Sequence, residues 1–284
     1  MEVRKSISIQ FAIFEEAVAN NFNRMMNFGI TSNICIPIRK GPDQRNEMTS
    51  QLLFGEIFKV IQTTGGWHKI QSETDGYLGW IMDSTFQSIS EEEYNVYLSS
   101  EKYILRSLTK AVSEDKSNHL FLPPGSVILN QNIENRKIKV GLNNYILDNI
   151  VIEKPSASRE AILKTAHYFL DAPYIWGGRS LLGIDCSGLS QLSYLINGIR
   201  IKRDASQQAE EGTQVFFLNE SKPGDLAFFD NDQGAITHVG ILLGEDKIIH
   251  ASGRVRIDKI DYQGIIRSET KEYSHKLRLI KSIL

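Results

Sequence analysis

The sequence predicts an α+β fold, in which two small all-β barrels precede a domain of helices packed on an antiparallel sheet. Short β-rich runs bounded by Gly, Asp and Thr turns fill the part before residue 155. A helical apolar pattern followed by paired strands fills the rest. The chain has 284 residues and 41% hydrophobic content, which is enough for a sizeable core and for two or three domains.

The β runs divide the amino-terminal part into two units. After an extension at 1–27, the first unit covers 28–89 and the second, with a fainter strand pattern, covers 90–154. The charged segments that flank the second unit are expected to be linker or strand. A linker at 155–158, whose serines can cap the following helix, leads into the third unit at 155–284.

One cysteine stands at the predicted start of an amphipathic helix. A glycine-rich run leads to Cys186, and the apolar positions after it recur at three- and four-residue steps, which marks one buried helical face. In the first helical turn, free backbone N–H groups and the helix dipole favour the thiolate. A buried structural cysteine is the alternative, but glycines on both sides and the adjoining Asp185 favour an accessible polar site.

Two histidines downstream can supply a base for that thiol. His238 and His250 lie in a predicted hairpin whose polar turn is at 245–247. Side chains alternate along a strand, so we expect an odd-length loop with a bulge at Gly244, which places both rings on one face. Cys186 is then the nucleophile, His238 the base, and His250 the group that orients the base.

A metal site is the other interpretation of one cysteine and two histidines. A fourth ligand is missing and no close Cys-x-x-Cys or His-x-x-x-His pair occurs, which weighs against structural zinc. We therefore expect no metal and no cofactor. The second cysteine, Cys35, lies among isoleucines in a predicted strand and is expected in the core. Pairing it with Cys186 would remove the nucleophile, so a reducing compartment is favoured.

From residue 158 onward the chain resembles the NlpC-type bacterial cell-wall peptidases, which are papain-like cysteine enzymes. The resemblance depends on the order and spacing of PYIWGG from 173, DCSG from 185, RDASQQ from 203, KPGDLAFF from 222, THVGI from 237 and IHASG from 249. It implies that nucleophile, base and orienting residue fall on Cys186, His238 and His250. It also implies that Tyr174 turns its hydroxyl toward the oxyanion, where such a donor stabilises the tetrahedral intermediate.

The amino-terminal units resemble bacterial SH3-like domains. The whole layout resembles the branch of the family that cuts the γ-D-glutamyl-diamino acid bond of murein stem peptides. In that branch the first barrel closes over the active site and reads the free amino end of the substrate's L-Ala. The resemblance places Glu47, Tyr77 and Asp204 at this amine, because an ammonium group in a closed cleft needs carboxylate partners.

Three more polar side chains, Asp185, Ser187 and Ser206, are candidates for the same pocket, although the serines also suit helix-cap or turn chemistry. Trp80 and Trp176 are interpreted as packing residues. The alternative functions are a non-catalytic protein that binds wall peptides, and an amidase or acyltransferase that uses the same thiol. A protein that had lost its activity is expected to have lost one of the three reactive residues, and all three are present.

Charge and hydropathy exclude several partners. The formal net charge is -2, from 32 basic and 34 acidic residues, so no general field attracts nucleic acid or anionic lipid. Gln10, Glu15 and Glu16 interrupt the first apolar stretch before it can act as a signal sequence, and no run is long enough to span a membrane. We expect a cytoplasmic monomer that acts on imported murein-derived peptides, or an exported protein if a leader has been removed.

Overall fold

The computed structural model describes residues 27–284 except 115, 117, 130–132, 134, 141–142, 149, 151–153 and 245. Residues 1–26 of the predicted extension at 1–27 lie outside the described residues. The positions that argue against a signal sequence are among them. The described chain combines all-β amino-terminal units with a carboxy-terminal unit of helices on a sheet, which confirms the predicted α+β class.

The first unit is one antiparallel sheet of seven strands. They are β1 (Phe28–Ile30), β2 (Cys35–Arg39), β3 (Met48–Leu53), β4 (Ile57–Thr64), β5 (Trp67–Ser72), β6 (Leu78–Met82) and β7 (Gln87–Ser88). Their order in the sheet is β3-β2-β6-β5-β4-β1-β7. Alternate residues such as Ile36 and Ile38 of β2 point into a small core, as the strand period requires. Cys35 is half-buried at the start of β2 and packs against the core of the third unit.

The second unit begins with a helix, α1 (Glu91–Ser99), where the sequence predicts linker or strand. Ser90 accepts a hydrogen bond from the backbone N–H of Glu93, and the Glu93 side chain accepts one from the N–H of Ser90, so a capping box starts this helix. The Ser-x-x-Glu spacing carried that signal in the sequence. The strands are β8 (Lys102–Ile104), β9 (Thr109–Ser113), β10 (His119–Leu122), β11 (Val127–Leu129), β12 (Lys137–Val140) and β13 (Asn143–Asp148). They form a four-stranded sheet, β10-β9-β13-β12, and a two-stranded sheet, β11-β8.

The third unit packs three helices on a large sheet. The helices are α2 (Arg159–Tyr168), α3 (Cys186–Leu195) and α4 (Ala205–Gln208). The strands are β14 (Arg179–Ser180), β15 (Gly183–Ile184), β16 (Thr213–Val215), β17 (Leu226–Asp230), β18 (Ile236–Gly244), β19 (Lys247–Ser252), β20 (Arg254–Ile260), β21 (Gly264–Ile266) and β22 (Tyr273–Ser282). The main sheet has the order β16-β22-β17-β18-β19-β20-β21, and β21 also pairs with β22. Six strands therefore close into a ring.

The two faces of this ring carry different cores. Phe228 belongs to the core shared with the helices, whereas its neighbour Phe229 belongs to a second core with Leu242 and Ile248. The alternation of side chains along each strand separates the two faces.

The β18–β19 hairpin has a bulge, as the sequence analysis expects, but the bulge precedes Gly244 and the turn is one residue shorter than expected. Gly240 pairs with His250, Gly244 pairs with Lys247, and the register shifts between Leu242 and Gly244. Counted from the Gly240–His250 pair, His238 lies an even number of residues away, so both histidines face the same side of the sheet. Without the shift, the turn would place the two rings on opposite faces.

The first unit is joined to the other two through shared cores and one buried ion pair. Leu53, the last residue of β3, packs into the helix-side core of the third unit, whereas Phe54 packs into the core of the second. The guanidinium of Arg179 contacts both carboxylate oxygens of Glu56, at 3.0 and 3.1 Å, and the Gln51 carbonyl at 2.6 Å. Arg179 and Glu56 are both fully buried, so the contact holds the first unit in one position.

Among the described residues, the helices are too short or too polar to span a lipid bilayer.

Candidate active site

Cys186 is the first residue of α3, where the sequence analysis places it. Asp185 caps this helix by accepting the backbone N–H of Gly188 at 2.6 Å and also accepts the N–H of Gly177 at 2.8 Å. The cysteine sulfur accepts a hydrogen bond from the backbone N–H of Val239, the residue that follows His238. Helix α3 and strand β18 therefore meet at the thiol.

The two histidines form a buried relay that ends on a carboxylate. His238 Nε2 lies 2.8 Å from His250 Nδ1, and His250 Nε2 lies 3.1 Å from Asp258 Oδ2. Arg256 and Ser268 also hold Asp258, through a 2.7 Å ion pair and a 2.7 Å hydrogen bond. The aspartate is a positioning residue that the sequence analysis missed, because strand β20 brings it to His250 only in the folded sheet.

The relay assigns the tautomers of both rings. A carboxylate only accepts hydrogen bonds, so His250 carries its proton on Nε2 and accepts at Nδ1. His238 must then donate from Nε2, which leaves its Nδ1 as the basic nitrogen. The arrangement thus prepares His238 to accept a proton at one defined atom.

Burial keeps the thiol and the imidazoles neutral. It raises the pKa of Cys186 to about 12 and, together with the neighbouring imidazoles, lowers the pKa of His238 well below its usual range. Burial also lowers the pKa of His250, although Asp258 opposes the shift. The sequence analysis expects a thiolate at the helix terminus. Burial of the sulfur and the neighbouring Asp185 carboxylate act against that expectation, because both raise the pKa of the thiol.

A third histidine completes the group. The ring of His275, in β22, stacks on the ring of His238 with centroids 4.0 Å apart and planes at 21°. Phe229 lies against the same ring at 5.7 Å. Ring closure of the sheet brings β22 to this place. A lone histidine in a strand carries no sequence signal for such a contact.

A second buried ion pair fixes the helix terminus. The Arg203 guanidinium donates to both carboxylate oxygens of Asp185, at 3.1 and 2.7 Å, and to Ser187 Oγ at 2.7 Å. Asp185 and Ser187 line the cleft, as predicted for substrate-binding residues. Their polar atoms are nevertheless already engaged, so the geometry favours a role for both in holding α3 and Arg203 in place.

The cleft over Cys186 lies between the first and third units and has a volume of about 800 Å³. The structure brings six predicted substrate-binding residues together along its wall. They are Glu47, Tyr77, Asp185, Ser187, Asp204 and Ser206. Among them, Ser206 is exposed in the first turn of α4.

The two units touch across this cleft at the predicted amine site. Tyr77 of the first unit and Asp204 of the third unit line this cleft, close enough for each to influence the pKa of the other. Burial raises the pKa of the Asp204 carboxyl, and Arg203 opposes that shift. Asp204 is therefore a carboxylate in a partly dehydrated place, beside a residue from the other unit.

The sequence analysis interprets Trp176 as a packing residue, but its side chain makes a hydrogen bond between the two units. Its indole Nε1–H donates to Glu47 Oε1 at 2.8 Å, across the boundary between the units. The side chain is 56% exposed and lines the cleft with Trp80. Glu47 also lies 3.7 Å from Lys40 Nζ. The sequence analysis could not predict this hydrogen bond, because Glu47 lies 129 positions away from Trp176 in the chain.

Tyr174 lies beside the reactive group. Burial raises the pKa of its hydroxyl above the usual range, and any negative charge on Cys186 would raise it further. The phenol therefore stays protonated at neutral pH and can donate a hydrogen bond. Its position is held by a backbone bridge to Ile184, two residues before Cys186.

Comparison with known proteins identifies both outer parts of the chain. A family model described as the NlpC/P60 family matches residues 171–274, and one described as a bacterial dipeptidyl-peptidase Sh3 domain matches residues 38–85. A crystal structure of an NlpC/P60 family protein from Bacillus cereus superposes with a TM-score of 0.76 at 20% identity, covering 90% of this chain and 99% of that one. At this identity the likeness concerns the fold.

Two curated relatives extend over most of the described chain. The gamma-D-glutamyl-L-lysine dipeptidyl-peptidase of Bacillus subtilis (strain 168) is 30% identical over 219 residues, which are 72% of this chain and 73% of the relative. The protein of the same name from Bacillus cereus is 28% identical over 237 residues, which are 72% of this chain and 68% of the relative. This extent of identity, together with the two family models, shows that the chain belongs to the NlpC/P60 family.

Proposed function

We propose that this protein is a cysteine endopeptidase that hydrolyses the γ-D-glutamyl-diamino acid bond of murein peptides with a free amino-terminal L-Ala. The observation that carries the proposal is the hydrogen-bonded series from His238 through His250 to Asp258, on strands that share a core with the helix beginning at Cys186. The names of the two curated relatives support the bond and the substrate class.

The chemistry follows from the protonation states of the resting site. The Cys186 thiol gives its proton to His238 Nδ1 as the sulfur attacks the γ-carbonyl carbon of D-Glu. The backbone N–H of Cys186 and the hydroxyl of Tyr174 are the donors proposed for the oxyanion. His238 then gives the proton to the amine of the diamino acid, which leaves.

Water completes the reaction. The product L-Ala-γ-D-Glu remains on Cys186 as a thioester after the first step. A water molecule gives a proton to His238 Nδ1 and attacks the thioester carbon, and the returning proton regenerates the thiol. Because His250 and Asp258 hold His238 Nε2, the same nitrogen serves as base and acid in both steps.

The substrate end is recognised at the contact between the two units. Glu47 and Asp204 offer carboxylates to the ammonium of L-Ala, and Tyr77 positions Asp204. The first unit also limits the length of the peptide on that side, because it covers the cleft beyond the alanine. Peptides still attached to glycan are therefore excluded.

Incubation with the free tripeptide L-Ala-γ-D-Glu-L-Lys, and with its diaminopimelate counterpart, tests the proposal. We expect L-Ala-D-Glu and the free diamino acid, detected by mass spectrometry, and no turnover by Cys186→Ala. The matched control is Cys35→Ala, which should keep the activity. Turnover by Cys186→Ala, or transfer of the dipeptide to an added amine without hydrolysis, contradicts the proposal.

A second substrate separates recognition from chemistry. Acetylation of the alanine amine removes the charge that Glu47 and Asp204 need and adds bulk against the first unit. We expect no cleavage of the capped tripeptide by the wild-type protein. Equal cleavage of capped and free peptides would remove the recognition part of the proposal and leave the cysteine chemistry intact.

A further inference from the structure

We propose that His238, His250 and His275 form a binding site for a divalent metal ion of the zinc type, and that the ion inhibits the enzyme reversibly. Each ring offers one nitrogen, and these three atoms all lie within 4.8 Å of one another. Two of the rings are buried and His275 is half-buried, so an ion reaches the site past His275. The inhibition, but not the binding, rests on the proposed function.

The spacing suits coordination once the His275 ring rotates out of its stack on His238, because two parallel rings cannot direct nitrogen lone pairs at one ion. Zinc binds imidazole nitrogen at about 2.0–2.1 Å, so three nitrogens around one tetrahedral ion are about 3.4 Å apart. His238 Nε2 and His250 Nδ1 are 2.8 Å apart as hydrogen-bond partners. Opening this pair slightly and drawing His275 inward meets the requirement, and imidazole suits zinc, copper and nickel.

The outer nitrogens of two rings already have the partners that metal-bound histidines use. His250 Nε2–H faces Asp258 Oδ2 at 3.1 Å, which leaves Nδ1 for an ion. His275 Nδ1 contacts Ser274 Oγ at 2.9 Å, which leaves Nε2. A carboxylate or hydroxyl behind the ligand fixes ring orientation and raises ligand basicity. This second observation distinguishes the cluster from three histidines that are merely close.

Metal binding has a direct consequence for the base. In the resting site, His238 carries its proton on Nε2 and keeps Nδ1 free. An ion at Nε2 takes the lone pair there, and the displaced proton moves to Nδ1, so the ring stays neutral. Nδ1 is the atom that must accept the proton of Cys186. The metal-bound protein therefore retains its fold and loses its base.

The site differs from the structural zinc that the sequence analysis disfavours. Its three ligands belong to strands β18, β19 and β22, whose pairing already holds them without an ion. The remaining position of the ion is open to water or to a carboxylate of a bound peptide. The ion is thus expected to bind weakly enough to be removed by a chelator.

Direct binding measurements on Cys186→Ala protein test the site without the thiol and without activity. We expect one Zn²⁺ per chain by isothermal titration calorimetry, and a tetrahedral visible spectrum when Co²⁺ replaces it. His275→Phe keeps an aromatic ring on His238 but removes one donor, so the affinity should fall at least about tenfold. His167→Gln, at an exposed histidine of α2, is the matched control and should bind as the parent does.

A second variant guards against misfolding of His275→Phe. Ser274→Ala keeps all three donors and removes the partner of His275 Nδ1, so the affinity should fall about tenfold, as expected for an outer-shell change. In wild-type protein, Zn²⁺ should abolish tripeptide cleavage and a chelator should restore it. Binding that is unchanged in His275→Phe, or that requires Cys186, overturns the proposal. Binding without any peptidase activity leaves the metal site standing and contradicts only the proposed function.

Discussion

The two walls of the cleft differ in solvent exposure and in charge. The wall from the third unit is dehydrated: Cys186, His238 and His250 are 5%, 6% and 1% exposed, and burial favours the neutral form of each. The wall from the first unit is charged and solvent-exposed, with Glu47 at 42% side-chain exposure beside Lys40 at 75%. In the proposed function, the reactive wall exchanges one proton at His238 Nδ1, whereas the recognition wall exchanges its ion partners with the substrate.

This difference indicates which contacts the reaction and the substrate recognition each depend on. Reactivity depends on hydrogen bonds between neighbouring strands of one sheet. Recognition depends on two units staying docked, and the docking includes an ion pair buried far from water. Four changes, taken from the largest expected effect to the smallest, test this contrast.

Breaking the docking contact should have the largest effect. Glu56→Gln leaves the buried guanidinium of Arg179 without its counter-charge, and removal of one partner of a buried ion pair destabilises a protein by about 3–5 kcal/mol. Urea unfolding should show this loss. Asp43→Asn, which breaks an exposed ion pair with Arg45 in the same unit, should leave the stability almost unchanged. Equal losses in the two variants would mean that Glu56 does not couple the units.

Breaking the relay should leave docking intact and slow the chemistry. Asp258→Asn removes the charge that keeps the His250 proton on Nε2, so kcat should fall about a hundredfold, within the range for general acid–base groups, while KM changes little. Asp261→Asn, three residues on, is the control and should retain kcat. An unchanged kcat in Asp258→Asn would show that His250 alone orients the base.

The neutral resting state of Cys186 predicts how the reactivity of its thiol depends on pH. Burial raises the pKa of Cys186 to about 12, so below that pH the thiolate fraction rises about tenfold for each pH unit. The iodoacetamide labelling rate of Cys186 should therefore climb steadily from pH 6 to pH 9, with the Cys186→Ala protein reporting the contribution of Cys35. A plateau below pH 7 would restore the ionised cysteine expected from the helix terminus alone.

Weakening the charged wall should have the smallest effect. Glu47→Gln keeps the hydrogen bond from Trp176 and removes the charge offered to the substrate ammonium. Since Glu47 is partly exposed, the change should raise KM about fivefold and leave kcat unchanged, in line with ~1 kcal/mol for a solvated ion pair. Steady-state kinetics on the tripeptide measures both constants. A fall in kcat instead of a rise in KM would place Glu47 on the reactive wall.

Much of the reactive wall could be predicted because its signals are local. The apolar spacing after Cys186 indicates α3, and a bulge in the hairpin, which the structure has just before Gly244, puts His238 and His250 on one face. The helix α1 was also within reach, since Ser90 and Glu93 have capping-box spacing. It was missed because the charged residues around it resemble a linker.

The sequence by itself determined the fold class, the family blocks and the cysteine with its two histidines, because periodicity, turn residues and motif spacing act over short stretches of chain. Only the tertiary structure decided the partners of those groups. Pairing of β19 with β20 brought Asp258 to His250, closure of the sheet brought His275 to His238, and docking of the units joined Trp176 to Glu47. The charge state of Cys186 was decided there too, since burial depends on every element that surrounds the sulfur.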